Sequence, residues 1–142
     1  MLQCGNGVNA LCTRQWIIIS NIKPSGDGGS LTTAFTYDKN ERLICEETTI
    51  QKDSKTKTEK YKYDYDNVGN RTLKRINGNE TVYSYNERNQ LVQEKSGEVS
   101  VDYQYDPNGN LISKSNGLKN ISYSYDALDR LTGYDDGVIS YT

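Results

Sequence analysis

The sequence predicts an all-β fold, in which tandem β-hairpins of 20 residues form an antiparallel meander. Three observations support this prediction. Tyr-x-Tyr followed by Asp or Asn recurs at a constant spacing, apolar and polar residues alternate within each copy, and turn-forming pairs separate the copies. From Phe35 onward no stretch shows the period of an amphipathic helix.

The first observation is the repeat itself. Copies start at Tyr63, Tyr83, Tyr103 and Tyr123, so that successive copies are offset by 20 residues. They read YDYDNVGNRTLKRING, YSYNERNQLVQEKSG, YQYDPNGNLISKSNG and YSYDALDRLTGYDDG. An earlier copy, FTYDKNERLICEE, starts at Phe35, 28 residues before Tyr63, and a truncated sixth copy starts near residue 139. A fixed period of this length is typical of repeat architectures.

The repeats divide the chain into two regions. Residues 35–142 form the repeat region, and residues 1–34 contain no copy of the repeat. In this first segment WIIIS is a candidate strand, and the glycine-rich PSGDGGS is typical of a flexible turn or linker.

Within each copy the side chains alternate with a period of two, as in a strand with one buried face. The copy around Tyr103 shows the two faces, with Val99, Val101, Tyr103 and Tyr105 on one and Ser100, Asp102 and Gln104 on the other. A leucine falls six positions after the second tyrosine in four copies, at Leu43, Leu91, Leu111 and Leu131. We therefore expect a sheet with a tyrosine-lined face and a polar face.

Turn-forming pairs separate the predicted hairpins. They are Asn77-Gly78, Ser96-Gly97, Asn116-Gly117 and Asp136-Gly137. Asn-Gly and Asp-Gly between alternating runs predict two-residue type I′ turns, in which both central residues have a positive φ. The lysine-rich stretch Lys52–Lys62 also contains acidic residues and predicts a solvated hairpin or loop.

The segment after the second tyrosine, which we call the opening loop, reads Asp-Pro-Asn-Gly-Asn in the copy that starts at Tyr103. An EF-hand calcium loop also starts with oxygen ligands, but it needs Gly at position six and Glu at position twelve. Here those positions hold Leu111 and Gly117. We therefore expect a structural turn, in which Asp106 bonds its downstream backbone and Gly109, like Gly69, is left-handed.

The composition excludes several classes of function. Hydrophobic residues make up only 34% of the chain, but its 12 tyrosines argue against disorder. A net charge of −2 gives no basis for binding nucleic acid, and no apolar run is long enough for a transmembrane helix. The first residues lack the basic start and apolar core of a signal peptide.

The metal-binding and redox side chains are few. The chain has no histidine, and its three cysteines, Cys4, Cys12 and Cys45, show no metal-binding spacing. We therefore expect neither a metal nor a cofactor. Free thiols and a disulfide between Cys4 and Cys12 are both compatible with the sequence.

The pattern Tyr-x-Tyr-Asp-x-x-Gly-Asn followed by Tyr-x-Tyr-Asp-x-x-x-Arg-Leu resembles the RHS or YD repeat. It is present in YDYDNVGNRTL, YQYDPNGNLI and YSYDALDRLTGY, and the resemblance extends from Phe35 to Thr142. The family includes bacterial Rhs polymorphic toxins, insecticidal toxin-complex B and C subunits, wall-associated proteins of Gram-positive bacteria and animal teneurins. The resemblance implies a β-sheet ribbon that forms a hollow shell, of which this chain is a curved segment.

The residues that carry the resemblance have structural roles in this interpretation, and no catalytic, cofactor-binding or metal-binding residue is predicted. They are Tyr37, Asp38, Tyr63, Tyr65, Asp66, Gly69, Asn70, Arg71, Tyr83, Tyr85, Tyr103, Tyr105, Asp106, Gly109, Asn110, Tyr123, Tyr125, Asp126, Arg130 and Leu131.

The resemblance also implies a function. In the toxins of this family the shell encloses a C-terminal toxic domain. The chain is therefore expected to be a non-enzymatic structural segment of a shell or scaffold that encloses or presents a toxin domain, in a protein that a bacterium secretes or displays. Its expected partners are adjoining repeats or a toxin cargo domain. The core that follows the repeats in Rhs toxins is not recognisable here, so we expect a repeat-region fragment of a larger protein.

Two other functions stay open. Ladders of tyrosines can stack on cell-surface glycans or serve adhesion, and this function would require exposed rather than buried rings. A carboxylate-dependent hydrolase would need two carboxyl groups about 5 to 9.5 Å apart in a cleft. The nearest candidates in the sequence are Asp64 with Asp66 and Asp135 with Asp136.

Overall fold

The computed structural model describes residues 14–20, by their backbone, and residues 29–141. All regular structure in these two ranges is β-strand, and the predicted all-β meander is confirmed. The strands are β1 (Arg14–Ser20), β2 (Ser30–Tyr37), β3 (Leu43–Lys52), β4 (Lys55–Tyr65), β5 (Arg71–Ile76), β6 (Asn79–Tyr85), β7 (Leu91–Ser96), β8 (Val99–Tyr105), β9 (Leu111–Ser115), β10 (Asn120–Tyr125), β11 (Leu131–Asp135) and β12 (Ser140–Tyr141). Strand order in the sheet follows chain order, because each connection is a hairpin between neighbours.

The chain divides into two compact units. The first contains the described residues up to Tyr65 together with Leu73–Asn79, and the second contains Asp66–Thr72 together with the described residues from Glu80 onward. The candidate strand WIIIS lies within β1, as predicted. The Cys4–Cys12 alternative and most of the predicted linker fall outside the described residues.

The first unit explains why its copy of the repeat is longer than the others. β3 has 10 residues and β4 has 11, whereas β7 has 6 and β8 has 7. The pairing runs out to Lys52 and Lys55, which flank a turn at Asp53 and Ser54. Both turn residues have a positive φ, 47° and 62°, as a type I′ turn requires. The lysine-rich stretch is therefore a hairpin, one of the two predicted alternatives.

In the second unit the side chains alternate as the sequence predicts. In β10 the residues Ile121, Tyr123 and Tyr125 are half-buried, whereas Asn120, Ser122 and Ser124 are exposed. β6 and β8 follow the same pattern at their tyrosine ends, but at the start of β8 Val99 is exposed and Ser100 half-buried, contrary to the prediction. A tyrosine-lined face and a polar face are thus present, and they result from the two-residue period of the strand.

The sheet buries little side-chain surface. Among the described hydrophobic residues only Cys45 and Tyr83 are buried, with 4% and 8% of their surface exposed. No described side chain is completely buried. Cross-strand pairs and hydrogen bonds, rather than a deep core, therefore stabilise the described part of the chain.

A β-bulge recurs in four hairpins of the described chain, where each leaves its opening loop. Between β8 and β9, Gln104 pairs with Ser113 and Tyr105 with Leu111, so Ile112 has no partner. The corresponding extra residues in the other three hairpins are Ile44, Val92 and Thr132. A bulge bends its strand and increases the local twist. The residue pattern of the repeat does not indicate this bulge.

The turns between hairpins lie where the sequence predicts them, but only one has the predicted type. Asn77 and Gly78 both have a positive φ, 49° and 95°, which confirms a type I′ turn. Ser96 pairs with Val99, so that turn consists of Gly97 and Glu98. Positive φ at Gly97 alone, 58°, corresponds to type II′.

The last two hairpin turns are longer than predicted. In each, the N–H of the first residue donates to the carbonyl three positions on, from Asn116 to Lys119 at 3.1 Å and from Asp136 to Ile139 at 3.2 Å. The side-chain oxygen of Asn116 also accepts from the Lys119 N–H at 2.8 Å. The predicted type I′ geometry is wrong here, because an Asn or Asp side chain that bonds its own downstream backbone favours a different turn.

Candidate functional site

All five opening loops have the same backbone geometry. They span residues 38–42, 66–70, 86–90, 106–110 and 126–130. The N–H of the first residue donates to the carbonyl of the fifth at 2.9–3.0 Å, and the N–H of the fourth donates to the carbonyl of the first at 3.0–3.3 Å. The loop is therefore a closed backbone ring that the chain makes once per repeat.

The first side chain of the loop fills this ring. Oδ1 of Asp66 accepts from the backbone N–H groups of Val68, Gly69 and Asn70 at 3.0, 2.8 and 2.8 Å. Asp106 accepts in the same way from the Asn110 N–H at 2.8 Å. The Gly69 N–H is shared with the Asp66 carbonyl, whereas for Val68 and Asn70 the carboxylate supplies the acceptor that the turn backbone does not.

The second polar atom of that side chain forms a hydrogen bond with the side chain of the fifth loop residue. Arg42 and Arg130 donate Nε–H to Oδ2 of Asp38 and Asp126, each at 2.7 Å. Nδ2 of Asn70 and of Asn110 donates to Oδ2 of Asp66 and Asp106 at 2.9 and 3.0 Å. Where the loop starts with an amide, the direction reverses, and Asn86 Nδ2 donates to Gln90 Oε1 at 2.8 Å. The first and fifth residues thus form chemically matched pairs.

The fourth residue of every opening loop is left-handed. Gly69 and Gly109 have φ of 102° and 99°, which confirms the predicted conformation. In the other loops Glu41, Asn89 and Asp129 occupy this position, with φ between 59° and 63°. The backbone requirement is therefore common to all five loops, although only two of them use glycine.

We expect Gly109→Val to lower the free energy of unfolding by about 1–3 kcal/mol, because a β-branched residue is strained at this φ. A Cβ here would also lie only 3.2 Å from Gln90 Nε2. Thermal unfolding should show a fall of several degrees. Gly109→Asn is the control, since Asn89 occupies this position in the third loop with φ of 59°. Equal losses in the two variants would contradict a role for the left-handed backbone.

In the four repeats after the first, the second tyrosine donates a hydrogen bond to the preceding repeat. Its hydroxyl reaches the carbonyl of the residue that follows the preceding loop, and the distance ranges from 2.7 to 3.1 Å. The pairs are Tyr65 with Leu43, Tyr85 with Arg71, Tyr105 with Leu91 and Tyr125 with Leu111. We call Tyr65, Tyr85, Tyr105 and Tyr125 the tyrosine ladder. A phenylalanine would fill the same space but could not make this bond.

The first tyrosines lie among charged side chains on the same face. The Arg71 guanidinium lies 4.8 Å from the Tyr83 ring centre, and the Lys114 ammonium lies 5.7 Å from that of Tyr103. The Tyr103 hydroxyl also donates to Glu94 at 3.3 Å. Burial raises the pKa of Tyr83 and Tyr103, so both hydroxyls stay protonated at neutral pH. Arg71 replaces the leucine of the other repeats and stacks as a cation.

Burial also raises the pKa of Tyr85 and Tyr105 in the ladder. At the far end, Tyr123 packs edge-on against Tyr134 with ring centres 5.7 Å apart, and Tyr134 stacks on Tyr141 at 5.4 Å. Leu131 follows the last opening loop and is exposed, whereas Tyr37 and Tyr63 are half-buried.

Neighbouring opening loops in the second unit bond to each other. Asn70 Nδ2 donates to Asn89 Oδ1 at 2.9 Å, and an Arg88 amino group donates to the Pro107 carbonyl at 2.7 Å. Asn108 and Asn110 both donate to Asp129 Oδ1, at 2.9 and 2.7 Å. Each loop therefore holds the loop of the next repeat, a contact that a single repeat could not reveal.

The candidate carboxylates for catalysis make other contacts. Asp66 closes its opening loop, and Asp64 bonds Arg75 at 3.1 Å. Asp135 accepts from the Gly137 N–H at 2.8 Å, and Asp136 bonds the Lys119 ammonium at 2.7 Å. Within the described residues, no three histidine, cysteine, aspartate or glutamate side chains are grouped as metal ligands would be.

One open groove of about 560 Å³ lies in the second unit between two successive opening loops. Its lining includes Arg88, Gln90, Tyr103, Tyr105 and Pro107. Arg88 and Tyr105 already bond backbone carbonyls at 2.7 and 2.9 Å. The polar atoms of the groove thus serve contacts between repeats.

The loop carboxylates make stability depend on pH. The Asn110 amide and the loop N–H groups hold the pKa of Asp106 below its usual value, and the N–H of Arg130 and of Leu128 does the same for Asp126. A carboxyl group with a lowered pKa in the folded state stabilises it above the unfolded pKa, about 3.9, and this contribution is lost as pH falls. We expect the melting temperature to fall below about pH 4.

The Asn86–Gln90 loop supplies a matched variant for this prediction. Asp106→Asn with Asn110→Gln copies its amide pair, so the double variant should fold with the same loop geometry at pH 7. Its melting temperature should then decrease less than that of the natural chain between pH 5 and pH 2. Superimposable pH profiles would show that Asp106 contributes nothing to the acid sensitivity.

The comparison with known families agrees with this repeat geometry. Residues 68–142 match the family model described as Teneurin YD-shell, an RHS/YD-repeat family, so the predicted resemblance is confirmed. No curated protein matches the chain at a significant level. The described residues contain no helix that is both long and apolar enough to cross a membrane. The family model covers more than half of the chain, which therefore belongs to the Teneurin YD-shell family and is a structural repeat of an RHS/teneurin-type protein.

Proposed function

We propose that this chain is a non-catalytic wall segment of a shell or scaffold that encloses or presents a toxin domain. The observation that carries the proposal is that the polar side chains form hydrogen bonds within their own repeat and to the neighbouring repeats. Ladder hydroxyls bond the preceding repeat, and loop side chains bond their own backbone and the next loop. A wall needs such contacts from repeat to repeat, whereas an active site needs polar groups that are free to meet a substrate.

The tyrosines favour the wall over a glycan-binding surface. Tyr83 is buried, and Tyr85, Tyr103, Tyr105, Tyr123 and Tyr125 are half-buried. Glycan stacking requires ring faces open to solvent, but the faces of Tyr83 and Tyr103 are covered by Arg71 and Lys114. Only Tyr141, at the last described strand, exposes most of its surface.

The proposal also names the partners of this chain and the residues that form its repeat region. The half-buried tyrosine face of a single sheet gains stability when something covers it, and the proposed cover is a toxin cargo domain or an adjoining stretch of wall. Residues 35–142 form the repeat region in this proposal, with residues 1–34 outside it. In this proposal the residues of the repeat motif serve the wall and no reaction.

The proposed location is outside the cell, in a protein that a bacterium secretes or carries on its surface. Membership of the Teneurin YD-shell family supports an extracellular or cell-surface location. The bacterial and toxin assignments rest on the resemblance of the tandem Tyr-x-Tyr-Asp pattern to the RHS or YD repeat.

Limited proteolysis of the full native gene product tests this function. We expect further YD repeats next to this chain and a cargo domain that resists protease until the repeats are denatured. The same cargo domain expressed by itself is the control and should be digested rapidly. Equal digestion rates in the two preparations would refute enclosure, and a gene product without further repeats would refute the wall.

A glycan array separates the alternative function. The adhesion hypothesis predicts binding that Tyr123→Ala and Tyr141→Ala abolish. The wall hypothesis predicts no glycan binding by the natural chain, together with a loss of thermal stability in Tyr123→Ala, since this ring packs against Tyr134.

A further inference from the structure

The first unit contains a strand edge that extends past its neighbour. β4 lies between β3 and β5 in the sheet. β5 ends at Ile76, and the next residue, Asn77, contacts β4 at Lys60. Its N–H donates to the Lys60 carbonyl at 3.1 Å, and the Lys60 N–H donates to Asn77 Oδ1 at 3.0 Å. The part of β4 before Lys60 continues to Lys55, beyond the end of β5.

The geometry of the hairpin decides which backbone groups of this part are unpaired. In an antiparallel strand, successive residues direct their N–H and C=O groups alternately to the two neighbouring strands. Lys60 faces the β5 side, so Thr58 and Thr56 do the same, whereas Lys57 and Glu59 face β3. No described strand lies beside Thr56 and Thr58 on that side. Both residues are exposed, and each presents one donor and one acceptor to solvent.

An unpaired edge of this kind is a template for another extended chain. Its charge decides which chain fits. Residues 52–60 contain four lysines and two acidic residues, so their net charge is positive. Lys57 pairs with Glu59 at 2.8 Å and Lys60 with Glu47 at 2.6 Å, and this positive charge is therefore only partly neutralised. A second copy aligned antiparallel about Lys57 would place two Lys57 side chains opposite each other, which destabilises the pairing. A strand with carboxylates would instead place opposite charges next to these lysines.

We propose that the Thr56–Thr58 edge of β4 is a docking site for an extended acidic peptide segment, which adds to the sheet as a further strand. The backbone groups of the two threonines supply the hydrogen bonds, and the flanking lysines supply the preference for acidic side chains. The extra length of β3 and β4 creates this edge, and the shorter strands of the later repeats do not reproduce it.

Nuclear magnetic resonance of the full chain with an eight-residue peptide of alternating threonine and glutamate tests the proposal. Before the peptide is added, the amides of Thr56 and Thr58 should exchange rapidly with solvent, and those of Lys57 and Glu59 slowly. The peptide should shift and protect the two threonine amides. A peptide of alternating threonine and lysine has the same strand propensity and should bind at least tenfold more weakly.

Thr58→Pro is the matched variant of the protein. Proline removes an N–H that faces solvent, and such positions at sheet edges tolerate proline. The variant should keep its fold and lose affinity for the acidic peptide at least tenfold. As a second probe, the acidic peptide N-methylated at every residue, which leaves no N–H on either edge, keeps the protein unchanged and should not bind.

Three results would overturn the proposal. The first is equal affinity of the natural chain and Thr58→Pro for the acidic peptide. The second is equally tight binding of the lysine or the N-methylated peptide. The third is protection of the Thr56 and Thr58 amides in the dilute free chain, because it would mean that the edge is already covered.

Discussion

Deletion of Asp102 alone should unfold most of the second unit, whereas deletion of the whole repeat from Tyr83 to Asp102 should leave a folded, shorter sheet. β8 is bonded on both sides, to β7 through pairs such as Gln93 with Asp102 and to β9 through Tyr103 with Lys114. With one residue removed, β8 can keep its pairing with both β7 and β9 only if the side chains beyond the deletion move to the opposite face of the sheet. Tyr103 and Tyr105 would then point to the polar face.

The repeat deletion avoids this conflict. It joins Val82 to Tyr103, so that β6 continues into the end of β8 with the tyrosines on their original face. Circular dichroism and thermal unfolding should show a cooperative transition for this variant. The single deletion should show a broad transition or none. Equal damage in the two variants would contradict a modular meander.

The strands and their faces could be predicted because their signals are local. A two-residue period fixes which side chains share a face, and a Gly-bearing pair marks a turn within a few residues. The left-handed position of the opening loop was visible only where it is glycine, at Gly69 and Gly109. Glu41, Asn89 and Asp129 hide the same requirement, because nothing in their residue types separates them from ordinary loop residues.

The contacts between repeats could not be predicted, because they depend on register over long distances. The hydroxyl of Tyr105 meets the carbonyl of Leu91, 14 residues earlier, only because the hairpin of β7 and β8 sets the register of these two strands. The same holds for Asn110 and Asp129. A repeat read by itself shows the tyrosine and the asparagine, but not the partners that the neighbouring copies bring to them.

Replacement of the ladder hydroxyls should have a large effect on stability. We expect the triple variant Tyr85→Phe, Tyr105→Phe and Tyr125→Phe to lose about 2–4 kcal/mol of unfolding free energy, since each removed hydrogen bond contributes about 0.5–1.5 kcal/mol. The ring of each tyrosine is kept, so the loss reports the hydroxyl rather than the packing. Urea unfolding measures it, and the dependence on urea concentration should stay unchanged.

Tyr123→Phe is the control for this measurement. Tyr123 lies on the same face, and within the described residues its hydroxyl makes no hydrogen bond, so its loss should change stability by a few tenths of a kcal/mol at most. The three ladder positions belong to separate repeats, and the single variants should therefore add to the triple value. If the triple variant were no less stable than Tyr123→Phe, water would replace the hydroxyls without cost, and the ladder would not hold successive repeats together.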